Sequence, residues 1–185
     1  MARGLNGYIE SRHQAYMDSD LPRTGSGSRL VTGRAYWLYV GATFEAVRLL
    51  HVVCQATTKG AGSQTAEVCV ASTPEPPNGA SQQLTKIVAS GTLSSLTVDG
   101  VCKNTTPFDY DMPDTLTHLW CGIRTAMGSN EPIFVSHGFD MNFGKVFQTV
   151  AAGALTGAGP WTGALVPDYE LQQCPVLRLV TGPIP

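Results

Sequence analysis

Apolar residues recur at every second position through much of this chain, a period that a strand turns into one continuous face. Leu50, Val52, Cys54 and Ala56 form one such set, and Ala66, Val68 and Val70 form another. The Gly-rich residues 59 to 63 lie between them, so the two sets predict a hairpin with one buried face. With AYWLYV at 35 to 40, residues 35 to 72 predict three strands of one antiparallel sheet.

Further along, 83 to 91 carries Leu84, Ile87 and Val88, a spacing that suits a short helix or a strand; its density of β-branched residues favours the strand. Residues 93 to 98, an AspGly pair at 99 and 100, then Val101 and Cys102 predict a second hairpin. In 117 to 125, Leu119, Cys121 and Ile123 point inward and His118, Trp120 and Arg124 lie opposite. Strands are expected at 133 to 136, at 143 to 150 pairing after it, and at 174 to 180. The segment 73 to 80 has three prolines and an AsnGly, a loop by composition. About eight strands and no long helix predict an all-β fold, an antiparallel β-sandwich of jelly-roll type.

Two segments depart from this alternation. Residues 1 to 34 have no apolar period and end near the linker-like ThrGlySerGlySer at 24 to 28. Their Leu5, Tyr8, Ile9, Tyr16, Met17 and Leu21 have no use in a plain spacer, so 1–34 reads as an extended N-terminal arm that orders on a partner and 35–185 as the sandwich domain. Residues 151 to 164 are too Gly-rich for a helix, and Trp161 within them is expected to anchor a contact with a neighbour.

Charge sharpens the picture of the arm. Charged residues make up 14% of the 185, against roughly 25% in average chains, and the net charge of −2 gives no general field for nucleic acid. The arm's bases are all arginine, Arg3, Arg12, Arg23, Arg29 and Arg34, and they exceed its acids Glu10, Asp18 and Asp20. Arginine suits bidentate contact with a partner's carboxylates or phosphates. Partner binding is therefore expected at Arg3, Tyr8, Arg12, Tyr16, Arg23, Arg29 and Trp161. No apolar run approaches 18 residues, and neither a signal peptide nor a membrane span is expected.

Candidate chemistry is sparse. The five cysteines, Cys54, Cys69, Cys102, Cys121 and Cys174, have no C-x-x-C pair, so zinc is not expected and buried reduced thiols are. Asp109, Asp111 and Asp114 offer carboxylates for Ca²⁺ or, as in many turns, for their own backbone. Asp140 and Glu131 are the candidates for an acid–base pair acting on glycans. The histidines His13, His51, His118 and His137 share no ligand spacing, and no hydrolase or phosphate-loop motif is present. The sequon at Asn104 has no role in a chain that stays in the cytosol. No cofactor, metal or catalytic residue is assigned.

The stretches 34 to 52, 61 to 101, 118 to 127 and 152 to 164 (AGALTGAGPWTGA) resemble a β-sandwich domain of structural proteins of tailed bacteriophages. The likeness is one of general texture, covers most of 34 to 165 and leaves the arm out. It implies a non-enzymatic virion protein, usually trimeric: a capsid decoration or cement protein, or a tail or head fibre subunit that touches a host glycan. With the arm, it implies docking on the major capsid protein or another virion subunit. A carbohydrate-active enzyme is the expectation from another class.

Overall fold

The computed structural model describes residues 23–28, 33–43, 45–58, 66–77, 81–93, 100–125, 133–137, 146–149, 153–165 and 175–185. Twelve strands run through them: β1 (Arg23–Ser28), β2 (Ala35–Thr43), β3 (Arg48–Thr58), β4 (Ala66–Thr73), β5 (Gln82–Ser90), β6 (Gly100–Lys103), β7 (Tyr110–Asp111), β8 (Thr117–Thr125), β9 (Ile133–His137), β10 (Val146–Thr149), β11 (Trp161–Leu165) and β12 (Arg178–Gly182). All pairings between them are antiparallel. The fold is an all-β antiparallel sandwich.

Its first sheet runs β10-β11-β5-β4-β8-β2 and curls until β10 meets β2, closing a barrel. Its second runs β1-β9-β3-β12, with β6 and β7 also paired to β3. The strands β2, β8 and β4 therefore have two buried faces. On one, Tyr36, Leu38, Val40, Ala66, Val68, Val70, Leu119, Cys121 and Ile123 pack against Leu49, Val52, Cys54 and Leu179 of the second sheet. On the other, Ala35, Trp37, Cys69, Ala71 and Trp120 meet Leu84, Leu155 and Trp161 inside the barrel. An apolar run such as AYWLYV fits a strand that meets no water on either side.

The inward phase expected for Leu119, Cys121 and Ile123 is present, and β5 is a strand. Two pairings and one inward phase differ from the expectation. β3 and β4 belong to different sheets, β3 pairing with β12, β6, β7 and β9 while β4 pairs with β5 and β8. They face each other across the core instead of bonding edge to edge, because alternation dictates which side chains point inward and leaves the neighbouring strand open. β9 and β10 likewise sit in separate sheets. Within β3 the inward position belongs to Leu49, not Leu50: Val180 lies opposite His51 and Thr181 opposite Leu49, which leaves Leu50 as the extra residue of a bulge. Gly182 makes room for it, since a Cβ there would stand 3.2 Å from Leu50 Cδ1.

The linker-like residues 24 to 28 also take a different role. They form β1, paired along β9, which needs only backbone donors and acceptors. Residues 1 to 22 lie outside the described residues.

Candidate functional site

The barrel offers two ends where polar groups gather, and β4 shows why. Its barrel-facing positions run from Glu67 through Cys69 and Ala71 to Thr73, polar at both ends and small and apolar between. At the Thr73 end, β8 contributes His118, directly opposite Thr73, and β2 contributes Tyr39, opposite Trp120. Val40 is an extra residue between Tyr39 and Gly41 in that ladder, and Gly41 carries the positive φ of 128°. The Tyr39 hydroxyl and His118 Nδ1 are 2.9 Å apart. Trp120 Nε1 donates to Thr73 Oγ1 at 2.9 Å, and that hydroxyl donates to the Glu75 carbonyl at 2.7 Å. Gln82 joins the same end through Nε2, which donates to the Pro76 carbonyl at 3.0 Å.

Burial holds the His118 pKa below the usual imidazole value against the opposing pull of the Glu75 carboxylate. Burial likewise raises Tyr39, further from ionising at neutral pH. The arrangement is a neutral hydrogen-bonding mouth over a packed aromatic interior, in which Tyr39 and Trp120 stand 5.2 Å apart at 58° and Trp37 and Trp161 5.2 Å apart at 40°. Gln82 Oε1 is buried there without a partner; Thr125 Oγ1 is the second such atom among the described residues.

At the other end the Gly-rich segment forms a cap. Glu67 Oε2 accepts from the Leu155 amide at 2.7 Å and faces Arg124 Nη1 at 3.5 Å. Lys86 Nζ donates to the carbonyls of Thr156 and Gly157, and the Gly157 amide bonds Ala154 to close a turn. Leu155 drops into the barrel core, and Gly159, at φ +64°, lets the chain swing so that Trp161 follows it inward. Trp161 is therefore buried. The expectation of an exposed anchor is corrected, because closing the barrel needs its ring beside Trp37.

Asp109, Asp111 and Asp114 do not converge on a cation. Arg48 takes both oxygens of Asp111, at 2.6 and 3.0 Å, and lowers its pKa through those bonds. Asp109 occupies a left-handed turn at φ 49°. Among the described residues no group of three His, Cys, Asp or Glu side chains is placed to hold a metal.

The sequon asparagine turns out to be internal. Asn104 is fully buried; its Oδ1 accepts from the Val52 amide at 2.9 Å, and its Nδ2 donates to the carbonyls of Leu50 and Thr106 at 3.2 and 2.7 Å. It completes the edge of β3 between the Val53–Lys103 and Leu49–Tyr110 pairs, and His51 Nδ1 lies 3.2 Å from its carbonyl oxygen. Nothing in the sequence distinguished this asparagine from a surface one. The polar phase of His118 was legible, but its link to Tyr39 depends on which strand pairs with β8, and alternation leaves that open.

Of the residues expected to bind a partner, Arg3, Tyr8, Arg12, Tyr16 and Arg29 lie outside the described residues, and of Arg23 only the backbone in β1 is described. Glu131, Asp140 and Cys174 are also outside them. Compared with known proteins, the chain matches no family model, no curated protein and no solved structure.

Proposed function

We propose that this chain is a non-enzymatic virion structural protein that docks on a phage head and reinforces the shell, with the jelly-roll type of sandwich and the trimeric state expected from its sequence. The observation that supports docking is a set of exposed apolar side chains in the segment from β6 to β8. Val101 on β6 and Tyr110 on β7, two strands paired to β3, are 63% and 39% exposed, and Leu116, which precedes β8, is 60% exposed. They give a body with few charges an apolar contact face. The polar side chains at the barrel ends, by contrast, hold the protein's own loops: Thr73 and Glu67 are bonded to the backbone of Glu75 and Leu155.

Sedimentation of purified protein with empty phage shells tests the reading. Co-sedimentation is expected, and it is expected to weaken when residues 1 to 22 are removed, a cut that leaves β1 in its sheet. A Val101→Lys, Leu116→Lys variant that binds shells as well as the parent removes the apolar face from the argument. Failure of the intact protein to bind any shell overturns the decoration reading and moves the weight to a fibre subunit.

A further inference from the structure

Two of the thiols face each other. Cys54 on β3 and Cys102 on β6 are direct cross-strand partners, with Val53 opposite Lys103 and Gln55 opposite Val101 on either side. Both are buried in the core between the sheets and neither is in a disulfide. Facing residues in an antiparallel ladder hold their Cα atoms about 4.5 or 5.5 Å apart, inside the roughly 4.4–6.8 Å that a disulfide spans. The Cys54 thiol is hydrogen-bonded to Cys102, and that bond and burial raise its pKa well above the usual thiol value. Cys69 and Cys121 make the contrast. They lie on neighbouring strands, but Cys69 points into the barrel and Cys121 into the inter-sheet core, so the sheet itself separates them.

We propose that Cys54 and Cys102 form a latent cross-strand dithiol that closes to a disulfide when the protein meets a small-molecule disulfide, and so staples β6 to β3. In the first step one cysteine thiolate attacks the oxidant's S–S bond, forms a mixed disulfide and expels one thiolate. In the second, the facing cysteine thiolate attacks the protein sulfur of that mixed disulfide and expels the other. Two protein thiols are oxidised, one disulfide is reduced to two thiols, and the two thiol protons pass to the leaving thiolates. Attack needs thiolate and access, and the native core grants little of either. The rate is therefore set by opening of β6, a four-residue strand whose Val101 and Lys103 face solvent. The bridge closes the chain between residues 54 and 102 and constrains the unfolded state, so the oxidised form melts several degrees higher.

The test incubates reduced full-length protein with oxidised glutathione, quenches with acid, and measures intact mass, thiols under denaturing conditions and the peptide map. The expected result is a loss of about 2 Da, a fall in thiols from five to three, a single Cys54–Cys102 peptide, and a higher melting temperature. Dithiothreitol is expected to reverse all four. A stable glutathione adduct, a bridge involving Cys69, Cys121 or Cys174, or five thiols remaining after incubation in mild urea that opens β6 would each overturn the proposal. Cys54→Ala and Cys102→Ala variants are expected to show no oxidant-dependent rise in melting temperature; because the wild-type peptide map stands alone, a variant that fails to fold does not decide the matter.

Discussion

Strand β2 separates two interiors built on different principles. Its Tyr36, Leu38 and Val40 face a layer of medium-sized aliphatic side chains and thiols between the sheets. Its Ala35 and Trp37 face a barrel filled by three tryptophans set against residues with little or no side chain, namely Ala35, Ala71, Cys69 and Gly122. Many interchangeable pieces fill the first space and a few irreplaceable ones fill the second. The inter-sheet core should therefore absorb shape changes that the barrel cannot, since volume-conserving aliphatic swaps usually cost under about 1.5 kcal/mol.

The largest expected effect follows from removing a barrel ring. Trp37→Ala should destabilise the fold by about 3–5 kcal/mol, while Leu38→Met, one residue along on the opposite face, should cost less than about 1.5 kcal/mol. Urea denaturation measures both. Hydrogen exchange separates the interiors further, because Leu155 packs in the barrel and its amide is bonded to Glu67. Trp37→Ala should expose that amide to exchange at a free energy below global unfolding, and Leu38→Met should leave it protected. Equal losses for the two variants would break the comparison.

Next in size is the smallest residue in the barrel. A Cβ on Gly122 would stand 2.5 Å from the Trp37 ring, closer than any real contact, and the ring is enclosed on all sides. Gly122→Ala should cost about 1–3 kcal/mol through overpacking. The comparison sharpens in a double-mutant cycle: with Trp37→Leu in place, the added methyl has room and its cost should largely vanish. An additive cycle would show that the two residues do not share the space the structure gives them.

These residues also mark where sequence reading stops. The alternation of Leu119, Cys121 and Ile123, and of Ala66, Val68 and Val70, announced strands and their inward faces, because burial acts on each side chain locally. It did not announce that the opposite faces are buried too. Trp120 was placed opposite the inward set and Trp161 looked available for a partner, because closure of the barrel is a property of six strands at once. Leu50 was read inward because a bulge shifts the phase without altering composition. The ThrGlySerGlySer stretch looked like a spacer because its strand pairing is made by the backbone. At the site, Thr73, Glu75, Gln82 and Tyr39 carried no spacing that joins them; the turn after β4 and the pairing of β2 with β8 do so.

The second sheet supplies a test of comparable size on a polar seam. Asn104→Ala removes the acceptor of the buried Val52 amide and the donor to Leu50 and Thr106. Leaving a buried donor unpaired costs about 1–3 kcal/mol, read as a shift of the urea midpoint. Asn104→Asp keeps the acceptor and loses the donor, and it adds a buried charge, so it should be no better than alanine near neutral pH. A neutral outcome for both would mean that the edge of β3 between β6 and β7 is held by backbone bonds alone.

The smallest effect lies at the barrel mouth, and its sign discriminates between two forces on one imidazole. Burial lowers the His118 pKa and Glu75 raises it, with burial the larger. A folded pKa below the unfolded value of about 6.5 means that the unfolded chain binds the proton first. The stabilising contribution of neutral His118 is then complete above about pH 6.5, declines as the pH falls from there to the folded pKa, and is constant below it. Because the side chain is only partly buried, screening keeps the total below about 1 kcal/mol. Measured as melting temperature from about pH 7.5 to about pH 5, the parent should lose stability relative to His118→Gln. Asp111 does not blur the comparison, since its carboxyl, held below the usual range by Arg48, titrates in a lower pH window and is present in both proteins. Acid stabilisation of the parent relative to the variant would mean that Glu75 outweighs burial, and that the mouth of the barrel is an ion pair in waiting where the inter-sheet core has none.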